Sequence, residues 1–79
     1  MMDCIATCFS HFGAVRFKKL CDENAWPARM MPVPRDLSSS CGTCVRYTGS
    51  LPDRVPEEIE QIVELHPSGY RLLYRAKDL

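Results

Sequence analysis

Cys4-Ile5-Ala6-Thr7-Cys8-Phe9, followed by Ser10, is the stretch from which the architecture is best predicted. Its residues are apolar, small or β-branched, which is typical of a buried strand. Ser10 is a residue type that caps helices. From there to about Ala25, apolar residues recur at helical spacing opposite charged ones. The sequence therefore predicts a first strand over 4–9 and an amphipathic helix over 10–25.

The rest of the chain predicts three more strands and a second helix. Strands are expected at 28–33, 43–48 and 70–75, where β-forming residues are bounded by prolines, glycines and turns. Pro56 and the acidic residues after it, Glu57, Glu58 and Glu60, favour a helix start. This helix would bury Val55, Ile59, Ile62 and Val63, and residues 76–79 would fray at the chain end. The order βαββαβ indicates an α+β, ferredoxin-like fold, a four-stranded antiparallel sheet with both helices on one face.

Length and composition favour one small domain over residues 1–79. The chain is near the lower limit for a core without disulfides or metal. Ten basic and ten acidic residues balance, which argues against nucleic acid or an anionic membrane as a partner. No stretch approaches the roughly 20 apolar residues that span a bilayer, and no export signal is visible, so we expect a cytoplasmic protein. Its five cysteines are then expected to be thiols or metal ligands.

The segment with most chemical potential is Pro-Val-Pro-Arg-Asp-Leu-Ser-Ser-Ser-Cys-Gly-Thr-Cys, residues 32–44. Prolines fix the approach to this hairpin loop, the serines supply hydroxyls and turn-forming amides, and Gly42 lets the backbone bend. In the predicted fold the loop shares a sheet edge with His11 at the start of the first helix. The helix N-terminus and a nearby Arg35 or Arg46 would both favour thiolate over thiol. The sequence therefore predicts a reactive cysteine at Cys41.

The predicted site consists of two thiols, Cys41 and Cys44, and the binding residues Arg35, Ser38, Ser39, Ser40, Gly42 and His11. Several have a simpler interpretation. Packing in the third strand explains Cys44 as well as a resolving role does, and packing also explains Cys4, Cys8 and Cys21. His11 fits a helix-start residue bonded to the loop better than a general base. Arg35 is either a solvated charge of the loop or a group that attracts an anion. The serines either cap and turn the loop or contact an anion.

Two alternatives place the protein in another class. Cys8-x-x-His11 and Cys41-x-x-Cys44 have zinc-like spacing, which would make the chain a small interaction domain with a structural zinc or dithiol site. This is the second choice, because Cys8 lies inside a predicted strand and not on a tight turn. RNA binding is disfavoured, because the third strand lacks the glycine and aromatic pattern that stacks bases. A homodimer formed through the open sheet face is compatible with the predicted fold.

The chain closely resembles the Se/S carrier protein-like family of small bacterial proteins over nearly its whole length. The resemblance rests on three stretches: Phe9-Ser10-His11-Phe12-Gly13-Ala14, Met31-Pro32-Val33-Pro34-Arg35 and Leu37-Ser38-Ser39-Ser40-Cys41-Gly42. It implies a cytoplasmic transfer protein, without a cofactor, whose Cys41 carries sulfur or selenium as a persulfide or selenenylsulfide. The donor would be of the cysteine desulfurase type, and an acceptor would take the atom. In the alternative to packing, Cys44 resolves loaded Cys41 by forming a disulfide and releasing the reduced chalcogen.

Overall fold

The computed structural model describes residues 1–77, and much of this part forms one five-stranded sheet. In chain order the elements are β1 (Met2–Cys8), α1 (His11–Glu23), β2 (Ala28–Pro32), β3 (Thr43–Gly49), β4 (Ile59–His66) and β5 (Gly69–Arg75). The strands lie in the order β2-β3-β1-β4-β5, and every neighbouring pair is antiparallel. Within residues 1–77, no helix has the length and apolarity that a membrane crossing needs.

Most of the predicted elements form within two residues of the predicted bounds: β1, α1, β2, β3 and the last strand, β5. Ser10 caps α1, because its side chain accepts a hydrogen bond from the Gly13 backbone nitrogen at 3.2 Å. β2 is an edge strand, as its prolines predict. In the predicted frayed end, the Ala76 backbone nitrogen donates to the Glu60 carbonyl at 2.9 Å. Residues 78 and 79 of that prediction lie outside the described residues.

The ferredoxin-like prediction, with four strands and two helices, is wrong, because the segment predicted as the second helix is β4. Its apolar residues Ile59, Ile62 and Val63 have helical spacing in the sequence. In the structure, β4 shifts register against β1 between Thr7 and Cys8, which is a β-bulge. The bulge brings Ile59 to the same face as Ile62, in the core under α1, and ordinary strand alternation places Val63 in the core on the opposite face. A strand with a bulge therefore puts two residues three positions apart on one face, as a helix does.

The core under α1 centres on three aromatic rings. Phe17 of α1 contacts Tyr47 of β3 edge-on, with ring centroids 5.3 Å apart. Trp26, just after the helix, stacks on Tyr47 with centroids 5.5 Å apart. Aromatic pairs in these geometries are favourable beyond the area they bury. These contacts fix α1 across β3, the strand that follows Cys41, and so fix the start of the helix relative to that strand.

A second, smaller core lies on the opposite face of the sheet. It consists of Ile5, Cys44 and Val63, and the loop residues Val33 and Leu37 pack against it. The loop between β2 and β3 therefore lies over the sheet face that the sequence leaves open for a partner. That face is occupied in part by the same segment that carries Cys41.

Candidate functional site

The cysteine loop, defined here as residues 33–42, is the hairpin connection between β2 and β3. The Val33 backbone nitrogen donates to the Gly42 carbonyl at 3.0 Å and so extends the ladder of β2 and β3 into the loop base. A turn follows, in which the Leu37 nitrogen donates to the Pro34 carbonyl at 3.1 Å. Arg35 is at the second position of this turn and is exposed. The loop is thus closed at its base and folded back at its start.

Glu60 of β4 holds the loop at the residue before Cys41. Its side chain is buried, with a relative exposure of 5%. Both carboxylate oxygens lie 3.1 Å from the Ser40 backbone nitrogen, and one of them also accepts a hydrogen bond from the Ser40 hydroxyl. Hydrogen bonds to a carboxylate are stronger than neutral ones. Glu60 therefore fixes the backbone from which Cys41 follows.

Two further side chains hold the loop at earlier positions. Gln61 Nε2 donates to the Ser38 carbonyl at 2.9 Å. The Tyr70 hydroxyl of β5 donates to Asp36 Oδ1 at 2.7 Å, and this hydrogen bond is the main cause that raises the pKa of Tyr70. Because β4 and β5 lie at the far side of the sheet from β2, the loop crosses the sheet and is held on the other side.

Cys41 differs from the other four cysteines in exposure. All five lie within the described residues and are free thiols; Cys4, Cys8, Cys21 and Cys44 are buried, whereas Cys41 is half-buried. Burial raises the pKa of the Cys8 and Cys21 thiols to about 12 and also raises the pKa of Cys4 and Cys44. The thiolate is the nucleophilic form of cysteine. Exposure and ionisation therefore disfavour reaction at the four buried thiols and leave Cys41 as the candidate nucleophile.

The start of α1 contacts the strand residue that follows the loop. His11 Nδ1 lies 3.3 Å from the Thr43 hydroxyl, and Cys41 Sγ donates to the Thr43 carbonyl at 3.3 Å. The helix start and the cysteine loop thus meet at Thr43, the first residue of β3. The sequence also predicts that the two lie close together. Within the described residues, His11 makes its side-chain hydrogen bond to Thr43 and none to Cys41. This geometry fits a helix-start residue bonded near the loop.

Cys8 and Cys44 are near Cys41 but belong to opposite faces of the sheet. For both thiols, burial is the main cause of the raised pKa and the nearby Cys41 is the second. Cys8 packs in the core under α1 and Cys44 in the core under the loop. Among residues 1–77, no group of three or more His, Cys, Asp or Glu side chains is arranged to hold a metal ion. The two ligand pairs of the zinc alternative therefore do not form one cluster there.

The three serines of the loop have different surroundings. Ser38 offers its carbonyl to Gln61, and Ser40 is bound to Glu60. The hydroxyl of Ser39 is buried and has no hydrogen-bond partner among the described residues. Buried hydroxyls normally have a partner. Of the three hydroxyls predicted to contact an anion, that of Ser40 is bonded to Glu60, that of Ser38 belongs to an exposed residue, and that of Ser39 is buried without a partner among the described residues.

Gly42 has no structural requirement for glycine. Its φ lies outside the left-handed region, and a Cβ built on it would meet nothing within 4 Å. The interpretation that Gly42 is needed for the bend is therefore unsupported by the backbone. The space that a side chain at Gly42 would enter is open.

Sequence reasoning missed Glu60 as a residue of the site. The sequence places it with Glu57 and Glu58 at the start of a helix, whereas it lies buried in β4. A carboxylate set between Ile59 and Ile62, in a run with β-branched residues, is the signal that points to a buried acid in a strand.

The fold and the site define a small protein, mostly sheet, with one accessible thiol on a loop held by a buried carboxylate. A family model described as "Putative Se/S carrier protein-like" matches residues 3–71, which span β1 through the first part of β5 and include the whole cysteine loop. The chain belongs to this family. No curated protein and no solved structure matches the chain.

Proposed function

We propose that the chain carries sulfur or selenium on Cys41, as a persulfide or a selenenylsulfide, from a cysteine desulfurase-type donor to an acceptor. The family description supports a carrier of these elements. The observation that supports Cys41 as the carrying residue is its exposure, because the other four cysteines are buried. The hold of Glu60 on Ser40 supports a fixed presentation of the thiol.

Loading and unloading are both exchange reactions. The Cys41 thiolate attacks the terminal sulfur of a donor persulfide; a new sulfur–sulfur bond forms at Cys41, the donor bond breaks, and the donor cysteine leaves as a thiolate. A nucleophile of the acceptor then attacks the transferred atom, and Cys41 leaves as a thiolate. With selenium, the attacked and transferred atom is selenium. Neither step needs an external oxidant or reductant. Because Cys41 holds the atom covalently between donor and acceptor, the proposed role is that of a transfer partner and not of a turnover enzyme.

The polar residues of the loop are proposed to receive the transferred atom and its donor. Arg35 is exposed and forms no ion pair within the described residues. A guanidinium in this position would attract hydrosulfide, selenide or a partner carboxylate. The unpaired hydroxyl of Ser39 is available to donate a hydrogen bond to a loaded Cys41, and the open space at Gly42 allows close approach of the donor.

Cys44 is proposed to act as a packing residue and not as a resolving thiol. A resolving attack on loaded Cys41 would release hydrosulfide or selenide and leave a disulfide, which needs a reductant to reopen. Cys44 is buried in the core under the loop, and its raised pKa disfavours the thiolate that would attack. We therefore expect transfer to require Cys41 alone. The cytoplasm is the proposed compartment, because thiols stay reduced there.

Native mass spectrometry tests this proposal on the wild type and the matched variants Cys41→Ser and Cys44→Ser. Each protein is incubated with a cysteine desulfurase and either cysteine or selenocysteine. The wild type and Cys44→Ser are expected to gain one sulfur or selenium atom that a reductant removes, and Cys41→Ser is expected to gain none. Equal gain by Cys41→Ser would refute Cys41 as the carrier, and failure of Cys44→Ser alone would restore a role for the second thiol.

A further inference from the structure

Arg29 of β2 and Arg46 of β3 lie directly opposite each other in the antiparallel register. Both are exposed. Within residues 1–77, neither forms an ion pair. Like charges placed directly opposite on neighbouring strands destabilise a sheet. The pair therefore costs stability in the free protein, and a bound anion would remove that cost.

The two arginines line one cavity of about 410 Å³, together with Asp3, Thr48 and nearby residues of β2 and β3. The Asp3 carboxylate accepts a hydrogen bond from the Thr48 hydroxyl at 2.8 Å. The charged groups of the cavity are thus two guanidiniums and one carboxylate. They leave a local positive excess in a chain whose formal net charge is zero.

We propose that Arg29 and Arg46 form a binding site for a phosphate-class dianion. Each guanidinium presents a rigid fork of donors that matches two oxygens of a phosphate. A phosphate monoester carries a charge of about −1.5 to −2 at pH 7, and its oxygens can meet both guanidinium forks at once. Because Asp3 offsets part of the charge of the two arginines, the number of oxygens decides between the anions: a carboxylate has two and fills one fork. The register and the shared cavity therefore favour phosphate over a carboxylate.

The site is separate from the cysteine loop, although both belong to one face of the sheet. Arg46 and Cys44 are two residues apart on β3, so their side chains leave the strand on the same side. This inference goes beyond the proposed carrier function, because neither arginine is needed for exchange at Cys41. The phosphate result and the loading result can accordingly fail independently.

The probe is inorganic phosphate, titrated into the isotope-labelled protein at constant ionic strength and followed by nuclear magnetic resonance. Phosphate is expected to give saturable shifts at Arg29, Arg46 and Thr48, and acetate to bind more weakly. Arg29→Gln and Arg46→Gln should each weaken phosphate binding at least about tenfold, because hydrogen bonds to charged groups contribute that much or more. Asp3→Asn should strengthen binding, since it removes the one carboxylate of the cavity.

Arg71→Gln is the matched control, because Arg71 is an exposed arginine on β5, at the opposite edge of the sheet. It should bind phosphate as the wild type does. Absence of saturable shifts at the cavity, or equal weakening by Arg71→Gln, would overturn the site. Acetate binding as tight as phosphate binding would overturn the dianion assignment. Unchanged amide signals outside the cavity show that each variant is folded, and loading of Cys41 is measured on the same samples.

Discussion

The Ser40 backbone nitrogen lies 3.1 Å from both carboxylate oxygens of Glu60, so the residue before the accessible cysteine is bound to a buried position of β4. This contact joins the cysteine loop to β4 across 20 positions of the sequence. It makes the position of Cys41 a property of the sheet and not of the loop alone.

Removing the Glu60 carboxylate should therefore release the loop. Glu60→Ala is expected to lower the free energy of unfolding by about 1–2 kcal/mol, because charge-assisted hydrogen bonds are lost while Ser40 remains open to water. Glu60→Gln, which keeps the shape and one acceptor, should fall between Glu60→Ala and the wild type. Hydrogen exchange at the Ser40 amide should speed up in the order wild type, Gln, Ala.

Glu57→Ala is the control for this series, since Glu57 is an exposed acid nearby in the chain. It should change neither the exchange at Ser40 nor the rate of Cys41 loading. If Glu60→Ala left the exchange at Ser40 unchanged, the bond between the two residues would not be present in solution.

Stability should fall at high pH because of the buried thiols. Cys8 and Cys21 have an ordinary pKa of 9.0, which burial raises to about 12 in the fold. A group with a raised folded pKa contributes stability that is fully present below its unfolded pKa and is lost as the pH rises through the folded value. The free energy of unfolding should therefore decline between about pH 9 and pH 12.

Chemical denaturation at a series of pH values checks this decline. Cys8→Ala and Cys21→Ala should each show a smaller loss over the same pH range than the wild type, although each is less stable at neutral pH. A pH dependence that is identical in the wild type and both variants would show that these thiols are not the source.

The end of α1 offers a stabilising substitution away from the site. Ala25 has φ +59°, in the left-handed region that favours glycine, and follows the C-cap Asn24. The Trp26 nitrogen donates to the Cys21 carbonyl at 2.9 Å, as in a Schellman motif. Ala25→Gly should raise the free energy of unfolding by about 0.5–1 kcal/mol and Tm by about 2–8 °C.

Thermal unfolding of wild type and Ala25→Gly measures this change. Ala25→Asn is the companion variant, because Asn also tolerates the left-handed region, and it should give a smaller increase. A lower Tm for Ala25→Gly would mean that φ at this position is not left-handed in solution.

Two glycines near the site should respond differently to alanine. A Cβ at Gly13 would lie 2.7 Å from the Glu58 Cβ, so Gly13→Ala should destabilise the packing of the α1 start. Gly42→Ala should leave stability unchanged, since its Cβ would enter open space. We also expect Gly42→Ala to slow loading by the donor protein while alkylation of Cys41 by a small reagent proceeds as in the wild type.

Denaturation, loading and alkylation rates of the two variants separate these effects. If Gly42→Ala slowed alkylation as much as loading, the change would lie in Cys41 itself and not in the approach of the donor. If it slowed neither, the donor would not approach on this side.

The sequence predicts the elements whose patterns are local. Ser10 and the stripe of α1, the prolines of β2 and the alternation in β3 each depend on neighbours in the chain, and the structure confirms these elements. β4 was missed because its bulge depends on pairing with β1, and no local pattern records that pairing. The loss of β4 also hid Glu60, whose partner Ser40 is 20 positions away.

The candidate site likewise has features that local sequence patterns predict and features that only the fold reveals. Residue types alone indicate an unusual cysteine loop around Cys41. That Cys44 is buried, that the loop crosses the sheet and that Arg29 faces Arg46 all follow from strand register. Register is a long-range property that a single sequence specifies only through the fold.

Peptide mapping of the loaded protein shows which cysteine carries the transferred atom. Cleavage after Arg35 and Arg46 gives the peptide 36–46, which contains both Cys41 and Cys44, and fragmentation between these residues assigns the transferred atom to one of them. After incubation with a cysteine desulfurase and its substrate, we expect the additional sulfur or selenium on Cys41. Additional mass on Cys44, on another cysteine or on none would rule out Cys41 as the carrier.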